Sequence, residues 1–119
     1  MTLPEYLEAN RGRAFAFGEF DCVLFALGWV KASRGRDVLA DLPVWRSELQ
    51  AARVIKRLGG LAQAFSDRFD AINPHFARDG DIGMWNGCCG IFSGRHLVCA
   101  GPNNLEYIDR TTCSHAWRS

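Results

Sequence analysis

The chain has 119 residues, 48% of them hydrophobic and 23% charged, with a net charge of +1. That composition suits one globular domain, residues 1–119, burying roughly two-thirds of its unfolded surface on folding. So even a charge balance gives no electrostatic case for nucleic acid or for holding a membrane alone, and no apolar run is long enough to span a bilayer.

Thr2-Leu3-Pro4-Glu5 reads as a capping box with proline inside the first turn. It opens a short helix through Tyr6, Leu7 and Ala9 that ends near Gly12. This is not a secretory h-region, so the protein is expected to be made in a cytoplasm. Phe15 and Phe17 lead as an extended entry to Gly18, which permits a tight turn. Asp21 can then cap a helix that starts at Cys22, runs to Ala32 and stops at Gly35. This helix is apolar nearly all round, which marks it as the central helix of the domain.

Arg34 to Trp45 is an irregular connection, and Ser47 can cap a helix from Glu48 to Leu58 with Leu49, Ala52, Ile55 and Leu58 on its apolar face. Leu61 to Phe69 makes another helical segment buried through Leu61, Ala64, Phe65 and Phe69. At Asn73-Pro74 the pattern turns strand-like. Ile82–Trp85, Cys88–Phe92, Arg95–Ala100 and Leu105–Asp109 read as four strands, joined by Asn86-Gly87, Ser93-Gly94 and the loop 101–104. Cys113 to Arg118 is a tail with one large anchor, Trp117. Helices first and an antiparallel meander second make the class α+β.

The chemistry rests on five cysteines, an odd number with no CxxC pair: Cys22, Cys88, Cys89, Cys99 and Cys113. Such a set points to reduced thiols or metal ligands rather than a disulfide framework. Cys22 stands in the first turn of a helix, where the macrodipole and free N–H groups favour a thiolate; the plain alternative is a small buried thiol. If Ser93-Gly94 is a two-residue turn, Phe92 faces Arg95 and Cys88 faces Cys99, with Cβ atoms about 5 Å apart. Cys89 then points to the other face with Ile91, Val98 and His96.

Cys22 after Gly18-Glu19-Phe20-Asp21, then Gly80-Asp81-Ile82, then Gly90-Ile91-Phe92-Ser93-Gly94, resembles the NlpC-type branch of the papain-like cysteine peptidases. Closer still is the resemblance to a small family encoded among phage tail genes, from about Phe15 to Trp117, including the stretch 51–60 and Ala116-Trp117-Arg118. The resemblance implies a papain-like fold and, in active relatives, a cell-wall peptide endopeptidase. It places the nucleophile at Cys22, the histidine base at Cys88 and the orienting residue at Cys99. A thiol is a poor general base near neutral pH, so the expected protein is a catalytically degenerate adaptor of a phage tail tip, not an enzyme. Its expected partners are other tail-tip proteins such as the hub and distal tail, with no nucleic acid and no membrane of its own, and its expected location is the virion tail.

Two other readings accompany this one. An active peptidoglycan endopeptidase would need another base; His96 points away, His75 sits in a loop, and His115 lies in the tail, the position least fixed by sequence. Asp21 and Asp81 read as a helix cap and a turn residue. In the second, Cys22, Cys88 and Cys99, with Cys89 or Cys113, would ligate zinc or an iron–sulfur cluster, although no cofactor is the primary expectation. Trp45 and Trp117 are the candidate anchors for a partner, with the alternative that Trp117 closes the domain's own core.

Overall fold

In a computed structural model describing residues 1–119, four helices precede a six-stranded antiparallel sheet. The helices are α1 Leu3–Asn10, α2 Cys22–Arg34, α3 Glu48–Arg57 and α4 Leu61–Ser66. The strands are β1 Asp70–Ile72, β2 Ile82–Trp85, β3 Cys88–Ser93, β4 His96–Ala100, β5 Leu105–Asp109 and β6 His115–Arg118.

The helix starts follow the capping chemistry. Thr2 N–H donates to Glu5 Oε1 (2.9 Å) while Glu5 N–H donates to Thr2 Oγ1 (3.3 Å), closing the capping box of α1. Asp21 Oδ1 accepts from Leu24 N–H at 2.9 Å, and Gly35 ends α2 in the left-handed region at φ +69°. Gly28 opens a gap on α2 through which the Tyr6 hydroxyl reaches the Phe25 carbonyl at 2.6 Å, so α1 packs closely on the central helix.

Two helical expectations need correction. The buried face of α3 carries Ala51 and Val54, whereas Leu49 is 61% exposed and Ala52 points to solvent. An apolar stripe at 51, 54, 55 and 58 competes with one at 49, 52, 55 and 58, and the first is the one that meets Trp45, buried beside it. The helix from Leu61 stops at Ser66, and the chain turns through Phe69 into β1.

The sheet order is β1-β6-β2-β3-β4-β5. Strands β2 to β5 form the expected meander, but the segment read as a tail is an interior strand. β6 pairs with β2 on one side (Ile82 with Trp117, Gly83 with Ala116, Met84 with His115) and with β1 on the other. Trp117 is 0% exposed and donates from Nε1 to Ser66 Oγ at 3.0 Å; it stacks on Phe65 with ring centroids 5.1 Å apart. Trp45 is likewise buried. Neither tryptophan is available to anchor a partner.

The hairpin register also differs from expectation. The turn after β3 is Gly94-Arg95, with Ser93 opposite His96 and Phe92 opposite Leu97. Gly94, at φ +58°, takes the first central position, where a two-residue hairpin of the II′ kind needs φ > 0. The shift is by an even number of residues, so every side chain keeps its face. Ile82, Met84, Cys89, Ile91, Val98 and Trp117 face the helices and form the main core with Phe25, Val30 and Phe65. Phe92, Leu97, Cys99 and Ala116 form a smaller core on the opposite face, closed by Ala77 and, from Nη2, by Arg110 bonded to the Ala77 carbonyl (2.7 Å).

Candidate thiol site at the start of the central helix

The turn before α2 is fixed by one carboxylate. Asp21, 2% exposed, accepts from Leu24 N–H with Oδ1 and from Gly18 N–H (3.0 Å) and Trp45 Nε1–H (2.7 Å) with Oδ2. Gly18 sits at φ +81° directly against the Trp45 carbonyl, where a Cβ could not fit. The glycine turn, the cap and the buried indole therefore form one unit, and it delivers Cys22 to the first position of the helix. Asp81 is spent in the same structural way, accepting from Arg78 N–H (2.8 Å), Arg118 Nη1 (3.0 Å) and Ser119 N–H (3.2 Å). Both aspartates thus do what their sequence positions imply.

Cys22 is half-buried and packs against the cluster that holds Cys89, on the sheet face that the helix covers. The neighbouring Cys89 thiol, with the Cys89 and Val23 backbone N–H groups, favours the Cys22 thiolate and outweighs burial and the Asp21 charge. The Cys22 thiol is held down to about 7. Cys22, with desolvation, pushes Cys89, 0% exposed, well above the usual thiol range. The sequence reading set Cys22 with Cys88 and Cys99 and left Cys89 on the other face. The signal was present: an all-round apolar helix must lie on the apolar face carrying Cys89, Ile91 and Val98.

Cys88 and Cys99 share a face as expected but are not directly opposed. Continuing the β3–β4 register sets Gly90 beside Cys99, and a Cβ on Gly90 would lie 2.8 Å from Cys99 Sγ. Cys88 is exposed, at the start of β3 opposite Trp85. Burial pushes its thiol up, and the Cys22 charge adds to this. Burial pushes Cys99 up to about 12, with Cys88, Cys22 and Cys113 contributing. The three thiols that the resemblance set together therefore feel one another electrostatically, while Cys22 packs against the cluster that holds Cys89. Cys113 lies farther round, its thiol pushed up by burial, in an open polar hollow with His75 and Arg110.

No imidazole joins Cys22. His96 is exposed at the start of β4 against Tyr107, His75 is in the turn after β1, and His115 is in β6 against Trp117 and Ser114 Oγ (2.8 Å). The zinc and cluster candidates Cys22, Cys88, Cys99 and Cys113 are spread over two faces of the sheet, and no three His, Cys, Asp or Glu side chains are arranged to hold a metal ion.

Beside Cys22 a cavity of about 70 Å³ runs between α2, α3 and α4. Fourteen of its sixteen lining residues are hydrophobic, among them Phe17, Trp45, Val54, Leu58 and Phe65; Asp21 and Arg68 are the polar exceptions. Asp21 is already saturated, and Arg68 Nη1 donates to the Ala64 carbonyl at 2.9 Å.

The model of one family, a domain of unknown function (DUF6950), matches residues 1–119. The chain belongs to the DUF6950 family. No curated protein and no solved structure matches it. The DUF6950 domain is thus, in this chain, an α+β fold with a helix-borne thiol set against a sheet-borne one.

Proposed function

We propose that this domain is a catalytically degenerate NlpC-like cysteine peptidase fold that serves as a structural or adaptor component of a phage tail tip. One observation carries the loss of catalysis: both positions that should hold a base and its orienting group carry thiols, and both thiols are pushed up rather than down. At neutral pH they are protonated and accept no proton from a nucleophile or an incoming water. Acyl transfer also needs a base matched to Cys22, and the partner present, Cys89, is more weakly acidic still. A cavity lined by fourteen hydrophobic residues and only two polar ones offers a peptide backbone few groups to bond to.

The tail setting rests on the sequence resemblance. In that setting the partners are the neighbouring tail-tip proteins, and contact falls to apolar side chains at the surface: Val44 (79% exposed), Phe76 (72%), Leu49 (61%) and Tyr107 (55%). The experiment is a comparison of virions carrying the wild-type protein with others carrying Cys22→Ala or Phe76→Asp. Cys22→Ala particles should contain the subunit and infect normally, and Phe76→Asp particles should lose it. Normal assembly with infection blocked by Cys22→Ala would overturn the reading.

A second reading, an active cell-wall cysteine peptidase, is favoured by one observation, the Cys22 thiol held down to about 7. It lacks a proton acceptor.

A further inference from the structure

We propose that the apolar cavity between α2, α3 and α4 binds a short-chain monocarboxylate, its alkyl tail inside and its carboxylate on Arg68. The site is independent of the tail setting and of any chemistry at Cys22. Its walls are held by contacts of their own. The Trp45 indole is fixed by its bond to Asp21 Oδ2 (2.7 Å), and Phe65 stacks on Phe69 and Trp117 with centroids 6.0 and 5.1 Å away. The walls therefore keep about 70 Å³ open between them. Apolar space of this kind holds no firmly bound water, and an alkyl group entering it gains contacts that the lining otherwise lacks. An apolar cavity of about 150 Å³ takes the six carbons of benzene, so this one takes a tail of roughly three or four carbons.

The charge of the ligand follows from the two polar lining residues. Asp21 is closed off by its three donors. Arg68 is not: Nη1 donates to the Ala64 carbonyl, while Nε and Nη2 bond to no protein atom and no carboxylate lies within ion-pair distance. Every buried side-chain nitrogen in the molecule has a partner, so this free edge of the guanidinium meets solvent. A second cation stands next to it. Arg36 donates from Nη2 to the Arg68 carbonyl (2.7 Å), lies 4.8 Å from the ring centroid of Phe69, another lining residue, and also has no acid partner. The adjacent Asp67 accepts from Gln63 Nε2 at 2.8 Å. The Nε and Nη2 edge of a guanidinium matches a carboxylate, two parallel charge-assisted hydrogen bonds to two oxygens. A neutral ligand leaves that edge unmet, and a second charge on the tail would be buried against apolar walls without a partner.

The test is a titration of the folded, full-length protein with sodium pentanoate at neutral pH and constant ionic strength, following the methyl NMR signals of Val54, Leu58 and Leu61, which line the cavity. These signals should shift saturably. The dissociation constant should be at least tenfold lower than for acetate, which has the head without the tail, and for 1-pentanol, which has the tail without the head. Octanoate, too long for the space, should bind no more tightly than pentanoate. Arg68→Gln should weaken pentanoate to the level of 1-pentanol and leave 1-pentanol unchanged. Lining signals that do not move, acetate or 1-pentanol equal to pentanoate, or octanoate tighter than pentanoate would overturn the proposal. The ligand series on the wild-type protein needs no variant to fold.

Discussion

Cys22 is the one thiol of the five held below the ordinary range. Its thiol is held down to about 7 because the neighbouring Cys89 thiol and backbone N–H groups favour the thiolate, against opposition from burial and Asp21. Alkylation by iodoacetamide should therefore titrate with a midpoint near pH 7. Cys89→Ala should move that midpoint up, and Asp21→Asn should move it down by removing the opposing charge. The stability consequence has a definite sign. A thiol at about 7 in the native state against 9.0 ordinarily adds stability fully present above pH 9, lost as pH falls through 7. Comparison with Cys22→Ala by urea unfolding across that window should show a difference that grows with pH, at most roughly 3 kcal/mol. The other four thiols act oppositely. Their native values are raised, so their contribution is present below pH 9 and fades above it, toward about 12 for Cys99.

Among the elements, those whose residues signal their own boundaries were legible in the sequence. Capping at Thr2, Asp21 and Ser47 and the αL stop at Gly35 locate α1, α2 and α3. Asn86-Gly87, both at positive φ, locates the β2–β3 hairpin. What depends on distant contacts was not legible. β6 is short and polar at its ends, and only the empty edge of β2 and the Phe65 surface make it a strand. The Ser93-Gly94 register failed because serine and glycine could each lead the turn; the positive φ of Gly94 decides it. The face of α3 was open because two stripes are apolar, and Trp45 selects one. Two substitutions test this packing by thermal or urea unfolding. Gly90→Ala would press a Cβ into the Val98 carbonyl and Cys99 Sγ and should destabilise by about 1–3 kcal/mol or more. Trp117→Ala, at a fully buried site bonded to Ser66, should cost about 3–5 kcal/mol.

At the scale of the whole molecule, the chain is a body of 32 × 29 × 27 Å with a radius of gyration of 13.0 Å, close to what its length demands when no arm extends from it. The helix-on-sheet frame sets Cys22 at the start of α2, with Cys89 on the sheet face it covers and Cys88 and Cys99 on the other, and all three histidines stand elsewhere. In the proposed reading this thiol has no catalytic partner for peptide hydrolysis. The most direct measurement is incubation with purified peptidoglycan, followed by mass spectrometry of the released fragments, for the wild-type protein and Cys22→Ala. The account predicts the same background release from both. Wild-type release above background that disappears in Cys22→Ala would contradict it.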